Sequence, residues 1–136
     1  MKELIKLLKT LKKKDVLVVA HETPDGDAIG SSLGFARLLK ELGARVLLLN
    51  KDEIPHKYRF LENSIKFCKP GDVSQEVRNR PYTAFILDTA TPERIGFDLR
   101  ENFPEVLETV CIDHHISNKQ FADHNYVYPD KGATSE

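Results

Sequence analysis

Continuous apolar runs alternate along the chain with segments in which apolar residues recur every three or four positions. The continuous runs are typical of strands buried on both faces of a parallel sheet. They lie at 16–20, 45–49, 83–87 and 109–112, and a further edge strand is predicted near 65–68. We therefore predict an α/β fold with an open, mostly parallel sheet, helices on both faces and right-handed crossovers.

The segments between these runs carry helical patterns. Apolar residues at 29, 33, 36, 39 and 42, followed by Gly43, predict a helix that starts near 28–31 and ends before that glycine. Short helices are predicted at 57–61 and 73–79, and a weak helix at 101–107 is interrupted by Pro104. Residues 133–136 have the pattern of a helix N-cap and first turn.

Six lysines surround an apolar stripe at the N-terminus, which predicts an amphipathic helix. Basic helices of this kind bind membranes or phosphates in some proteins, but a packed helix with solvated lysines is commoner and is our prediction. Cys68 and Cys111 lie in or beside apolar runs, so we interpret both as reduced packing residues.

Length and charge limit the function. The 136 residues suffice for one domain, and 20 basic against 21 acidic residues give a net charge of −1. Because this balance produces no strong overall field, we expect no stable complex with long nucleic acid. No run approaches the roughly 20 apolar residues of a membrane span, so we expect no membrane partner and a cytoplasmic location.

Ionisable side chains follow three of the predicted strands. They are His21, Asp25 and Asp27 after the first, Asp88 after 83–87, and Asp113, His114 and His115 after 109–112. Because ligands of open parallel sheets bind outside the carboxyl ends of the strands, we expect these side chains to form one site. A mixed imidazole and carboxylate set favours Mn²⁺, with Zn²⁺, Co²⁺ and Mg²⁺ as alternatives.

The first loop also has a simpler interpretation. Pro24, Asp25 and Gly26 are common turn residues, and Asp27 is a common helix cap, so this segment alone does not require a metal. The predicted helix that follows this loop would point its positive end at the same crevice, which would favour a bound phosphate there. The other two clusters favour the metal site, because adjacent histidines after a buried strand serve no packing purpose.

Three motifs in this order resemble the DHH-family phosphoesterases over nearly the whole chain. They are His-Glu-Thr-Pro-Asp-Gly-Asp-Ala-Ile-Gly-Ser at 21–31, Leu-Asp-Thr at 87–89 and Asp-His-His at 113–115. The first motif, with its proline, is closer to the branch of oligoribonucleases and 3′-phosphoadenosine-5′-phosphate phosphatases than to the single-strand DNA exonucleases. The manganese pyrophosphatases are also similar.

The resemblance implies two Mn²⁺ ions with shared ligands: His21 and Asp25 on one, Asp27 and His114 on the other, and Asp88 bridging both. It also implies that His115 contacts the substrate phosphate, which makes it a catalytic residue together with Asp88. Asp113 would orient the histidine pair. Ser31 would donate to substrate near the helix start, although a capping role fits it equally.

The chain departs from the family pattern after the histidine pair. Family members place one more metal-binding aspartate on a later strand and add a smaller, glycine-rich domain that clamps substrate. We expect residues 1–136 to form a DHH-type domain that is incomplete at its C-terminus, with the clamping domain absent and the second metal site incomplete. Asp123 and Asp130 lie in a polar connection and are not expected to replace the missing ligand.

The resemblance implies a metal-dependent phosphoesterase that uses activated water on short RNA or phosphorylated adenosine nucleotides. Cleavage of pyrophosphate or of cyclic dinucleotides is the alternative among hydrolases. An inactive metal-binding fragment or assembly module is the alternative from another class. We expect this chain to be weakly active or inactive, and a homodimer is compatible with the sequence.

Overall fold

The computed structural model describes residues 2–63 and 65–136, and within them five strands form one parallel sheet in the order β2-β1-β3-β4-β5. The strands are β1 (Asp15–Ala20), β2 (Arg45–Leu49), β3 (Tyr82–Leu87), β4 (Val106–Asp113) and β5 (His124–Val127). The predicted α/β class is confirmed.

Helices and 3₁₀ turns connect the strands. The helices are α1 (Lys2–Lys9), α2 (Gly26–Glu41), α3 (Gln75–Arg78) and α4 (Leu99–Asn102), and the 3₁₀ turns are His56–Leu61, Pro70–Asp72 and Pro92–Ile95. Across the described ranges, none of the helices combines the length and the apolar character needed to cross a bilayer.

Two apolar layers cover the sheet, one on each face. Successive side chains of a strand point to opposite faces, and every residue of β1 is buried, as a doubly covered strand requires. Val16 and Val18 belong to the layer that includes α2, whereas Leu17 and Val19 belong to the layer that includes Leu99 of α4. Helical elements therefore pack on both faces, as predicted.

The N-terminal helix packs as the sequence predicts. Leu4 and Leu11 are buried in the same layer as α2, and the surrounding lysines are exposed. Burial of a leucine side chain is worth about 2 kcal/mol, so the stripe is sufficient to hold the segment on the domain.

The long helix starts two residues before the predicted range. Asp25, rather than Asp27, is its N-cap, because the Asp25 carboxylate accepts hydrogen bonds from the backbone N–H groups of Asp27 and Ala28. The capping interpretation of Asp27 is therefore wrong. The helix ends before Gly43, which adopts the left-handed φ of +87° that a glycine tolerates best.

Three predicted elements differ from the structure. The edge strand at 65–68 is reduced to a single bridge between Cys68 and Leu49, and the ladder does not continue past it because Pro70 has no N–H to donate. The weak helix at 101–107 ends at Asn102, and β4 begins at Val106, after Pro104. The strand at 109–112 is not the last, since β5 pairs with it.

The two cysteines have different environments. Cys111 is fully buried, as a packing residue should be, whereas Cys68 is exposed beside the short bridge. The interpretation of Cys68 as a packing residue is thus wrong, because the predicted strand at 65–68, which would have held it in the sheet, does not form.

Candidate metal centre

The predicted site residues meet where the direction of strand addition reverses. The chain passes from β1 to β2 on one side and to β3 on the other, so a crevice opens at the carboxyl ends of β1 and β3. His21 directly follows β1, and Asp88 directly follows β3. The loop after β4 brings His114 and His115 to the same end of the sheet.

Asp88 lies at the middle of this crevice with only 3% of its surface exposed. Its two carboxylate oxygens face different histidines: Oδ2 is 3.7 Å from Nε2 of His21, and Oδ1 is 3.5 Å from Nε2 of His114. Its backbone has a left-handed φ of +53°, which is uncommon for a residue with a side chain. Its N–H nevertheless bonds to the Ile112 carbonyl at 3.0 Å, so the strand end is well fixed.

Both histidines are held in the tautomer that a metal requires. Nδ1 of His21 lies 2.7 Å from the Glu22 carbonyl oxygen, and Nδ1 of His114 lies 3.2 Å from the Lys131 carbonyl oxygen. Because a carbonyl can only accept, each neutral ring carries its proton on Nδ1 and leaves the Nε2 lone pair free. Metal-binding histidines in proteins are oriented in this way.

Two groups of ligand atoms result. His21, Asp25 and Asp88 form the first, with 3.9 Å between Nε2 of His21 and Oδ1 of Asp25. In the second, Nε2 of His114 lies 3.7 Å from Oδ2 of Asp27 and close to Asp88. These gaps are too long for good hydrogen bonds, but they match the separation of two ligands on one ion with bonds of about 2.1 Å. The donor set therefore fits a divalent metal.

His115 is tied to a different partner. Its Nδ1 lies 2.7 Å from Oδ1 of Asp113, which is buried, and 3.8 Å from Asp88. Asn118 completes the arrangement, because its amide donates to the second oxygen of Asp113 at 2.7 Å. Among the described residues, the Asp113 carboxylate is hydrogen-bonded to the ring of His115 and not to that of His114. The role of Asp113 in orienting the histidine pair stays a prediction.

Ser31 and the helix start differ from the expected phosphate pocket. The Ser31 hydroxyl donates to the Ala28 carbonyl of its own helix at 3.3 Å. The N–H groups of Asp27 and Ala28 in the first turn of α2 are bonded to the Asp25 carboxylate, so these two are not available to a ligand in this conformation. Ser31 instead lines a groove of about 220 Å³ together with Thr134 and Ser135.

Residues 131–135 form a turn that contacts the centre, although no motif of the sequence indicates this contact. Thr134 and Ser135 donate backbone hydrogen bonds to Asp27, and the Thr134 hydroxyl donates to Asp88 at 2.9 Å. The sequence pattern predicts a helix N-cap and first helical turn at 133–136, whereas the structure has a hydrogen-bonded turn there instead of a helix. In the sequence, Thr134 and Ser135 are two small hydrogen-bonding residues shortly after Gly132, and this combination is too common to indicate a site.

The electrostatics of the two aspartates differ. Burial raises the pKa of Asp88, opposed by the Thr134 hydrogen bond and reinforced by the charges of Asp27 and Asp25. Burial also opposes ionisation of Asp27, but hydrogen bonds from Ser135 and Thr134 outweigh it and lower the pKa of that carboxyl. Partial burial works against the charged form of His115, yet the carboxylate of Asp113 raises the pKa of that ring.

Other polar candidates lie outside the centre. Asp123 accepts hydrogen bonds from the backbone and hydroxyl of Thr109 at 2.8 and 2.9 Å, which gives it a structural partner. His56 and His124 are exposed. A cleft of about 590 Å³ lies against Phe97 and Phe121, and its lining includes none of the candidate ligands described above.

Comparisons with known proteins agree on one family. A model of the DHH family, N-terminal domain, matches residues 15–136. The chain is 35% identical over 123 residues to the bifunctional oligoribonuclease and PAP phosphatase NrnA of Thermus thermophilus, a match that covers 89% of this chain and 34% of that protein. It is 34% identical over 112 residues to a probable manganese-dependent inorganic pyrophosphatase of Bacillus mycoides, covering 82% of this chain and 35% of that protein.

A solved structure supports the fold. An exopolyphosphatase-related protein from Bacteroides fragilis superposes with a TM-score of 0.81 at 22% identity, covering 98% of this chain and 39% of that one. The chain spans about a third of the length of the curated relatives it matches. The family match over residues 15–136, the ordered motifs and the fold show that this chain belongs to the DHH family, as its N-terminal domain.

Proposed function

We propose that this chain forms the metal-binding half of a divalent-metal-dependent phosphoesterase. The observation that carries the proposal is the pair of imidazole Nε2 atoms that approach opposite oxygens of the buried Asp88, at 3.7 and 3.5 Å. Each ring is fixed by a backbone carbonyl on its other nitrogen. A purely structural aspartate would be expected to accept short hydrogen bonds from these rings.

The ligands divide between two ions. We assign His21 and Asp25 to one, Asp27 and His114 to the other, and Asp88 to both. Imidazole with several carboxylates favours Mn²⁺, and the pyrophosphatase relative is named for manganese dependence. A pair of such ions would supply an activated water nucleophile and neutralise charge on the phosphoryl oxygens.

The protein side chains supply orientation and substrate contact. His115, held by Asp113, presents its Nε2 away from that carboxylate, and we assign it to a substrate phosphate oxygen. Asp113 in turn is fixed by Asn118, so the ring has a defined plane. Substrate phosphate would therefore be bound beside the ligands of the two ions, at the open end of the crevice.

We propose short oligoribonucleotides or phosphorylated adenosine nucleotides as substrates, because the Thermus relative is named for both activities and the first motif contains Pro24. Pyrophosphate is the second candidate, supported by the similarity to the Bacillus pyrophosphatase. The two groups differ in whether a nucleoside must be accommodated next to the phosphate.

The first test uses electron paramagnetic resonance to measure Mn²⁺ binding by the wild-type chain and by the Asp88→Asn variant. Asparagine tolerates the left-handed backbone at this position, so the variant isolates the loss of the carboxylate. We expect wild type to bind two ions and the variant to lose at least tenfold in affinity for both. Two-ion binding with unchanged affinity in the variant would contradict the assignment of a bridging ligand.

Hydrolysis assays on short RNA, 3′-phosphoadenosine-5′-phosphate and pyrophosphate then separate the substrates. We expect Mn²⁺-dependent turnover, even if slow, on one of the first two, with loss of turnover in Asp88→Asn. Turnover of pyrophosphate alone would favour the second candidate. Because this chain is expected to be weakly active or inactive, the assay is repeated on a version that continues past Glu136. Mn²⁺ binding without hydrolysis of any of the three by that longer version would contradict the enzyme proposal and support a binding module.

A further inference from the structure

We propose that the turn formed by residues 131–135 is a positioning element for one half of the metal centre, with Thr134 as its principal side chain. The inference rests on the proposed function, since it assigns this turn to the ligands of a proposed ion. Nothing in the motif pattern points to it, because the motifs end at His115.

Asp27 is held by two adjacent amides of the turn. The Thr134 N–H donates to Oδ2 at 2.7 Å, and the Ser135 N–H donates to Oδ1 at 2.9 Å. A carboxylate that accepts one bond on each oxygen has its plane fixed. Its remaining lone pairs then face Nε2 of His114, 3.7 Å from Oδ2.

The same turn contacts two further ligands. The Thr134 hydroxyl donates to Oδ1 of Asp88 at 2.9 Å, and this is the oxygen that faces His114. The Lys131 carbonyl accepts from Nδ1 of His114 at 3.2 Å. One short segment therefore fixes the orientation of all three side chains assigned to the second ion.

The turn is itself well defined. The Glu136 carboxylate accepts from the Gly132 N–H and from the Lys131 ammonium, each at 3.1 Å. The Lys131 N–H bonds to the Tyr128 carbonyl at 3.1 Å, just after β5. The register of the turn is thus set by the edge strand that precedes it.

Apart from the shared Asp88, the turn contacts only one side of the centre among the described residues. Within the described residues, none of the hydrogen bonds from the turn reaches His21 or Asp25, which are supported by Glu22 and by the first amides of α2. The Thr134 hydroxyl bonds to Oδ1 of Asp88, the oxygen that faces His114. Its loss should therefore weaken the ion assigned to Asp27 and His114 more than the ion assigned to His21 and Asp25. A general loss of stability would weaken both alike.

The test compares Thr134→Val, which removes the hydroxyl at nearly constant shape, with Thr134→Ser, which keeps it. Partners that orient metal ligands typically contribute 10- to 100-fold in affinity. We expect Mn²⁺ titrations followed by electron paramagnetic resonance to show about tenfold weaker binding of one ion in Thr134→Val and near-normal binding in Thr134→Ser. Thr10→Val, which removes an exposed hydroxyl bonded to Leu7, is the matched control.

Several outcomes would overturn the inference. Unchanged binding of both ions in Thr134→Val, or an equal loss in Thr134→Ser, would exclude a positioning role for the hydroxyl. Circular dichroism of the metal-free variants checks folding, and Thr134→Ala repeats the comparison if the valine variant does not fold. Failure of wild type to bind Mn²⁺ would instead refute the proposed function, so the two failures are distinguishable.

Discussion

Asp88 combines burial with an unusual backbone conformation. A side-chain-bearing residue at a φ of +53° costs about 1–3 kcal/mol, a cost that persists only where the surroundings fix the conformation. Here the strand end and the hydrogen bond to Ile112 supply that constraint. This conformation places the buried Asp88 carboxylate between two loops, with one oxygen facing His21 and the other facing His114.

The two thiols give a prediction about reactivity. Burial raises the pKa of the Cys111 thiol to about 11, although a hydrogen bond from Asn118 opposes it, whereas Cys68 is exposed. Because only a thiolate reacts, we expect a disulfide reagent at pH 8 to modify one thiol per folded chain rapidly and the second only after denaturation. Cys68→Ser should abolish the fast phase, and a fast phase that persisted in this variant would contradict the assignment.

The clustering of the candidate ligands was predictable because they directly follow apolar runs. His21, Asp88 and His114 all lie within two positions of a strand end, and strand ends of a parallel sheet meet at one edge. Thr134 was not predictable, since its partner Asp27 is 107 residues away and a hydroxyl has many uses. The tautomers were equally hidden, because they depend on which carbonyl each ring meets.

The long helix α2 places the first loop of the centre. Asp25 caps it and also faces His21, so one carboxylate both ends the helix and supplies a candidate ligand. At its other end, Gly43 adopts a φ of +87°, and its carbonyl accepts from the N–H of Lys13. The helix is thus fixed at both ends by residues that sequence rules recognise.

This gives a matched pair of glycine substitutions. Gly43→Ala places a methyl group on a left-handed residue, 3.2 Å from the Lys12 side chain, and should lower the free energy of unfolding by about 1 kcal/mol. Gly34→Ala lies in the exposed middle of α2 with open space around it, and should raise that free energy by about 0.5–1 kcal/mol. Urea denaturation measures both. Equal effects of the two changes would refute the backbone explanation.

Strands and helices with a clear pattern of apolar residues were predicted from the sequence. Elements that form only through contacts with neighbouring elements were not. The runs of β1 and β3 are buried on both faces and their sequences show it. The short β5 has the mixed sequence His-Asn-Tyr-Val and is half-buried at most, so it exists through pairing with β4 and through the bond of Asp123 to Thr109. A pattern based on burial does not detect a strand of this kind.

At the end of the sheet opposite the metal centre, one ion pair joins the first residues of β1 and β2. Both oxygens of Asp15 accept from the Arg45 guanidinium, at 2.9 and 2.6 Å. These hydrogen bonds outweigh burial and hold the pKa of Asp15 below its usual 3.8. Folding therefore favours the ionised carboxyl, and this contribution affects the stability of the domain as a unit.

The resulting pH dependence is testable. The contribution of Asp15 is complete above about pH 4, its unfolded value, and is lost as the pH falls through the lowered folded value. Asp15→Asn should therefore reduce the free energy of unfolding by about 1 kcal/mol at pH 7, with the difference from wild type shrinking below about pH 4. Denaturant unfolding at several pH values measures it, with the exposed Asp72→Asn as control. A constant difference across that range would contradict the proposed ion pair.

The long separation between Asp27 and Thr134 has a consequence for synthesis in the cell. A nascent polypeptide exposes the first loop on the ribosome long before the turn that fixes it, 107 residues later, has emerged. The fifth strand, His124–Val127, also emerges late, shortly before that turn. Under the proposed role of the turn, a cation should bind at full strength only in the last stage of translation of this domain, and earlier intermediates should bind it weakly.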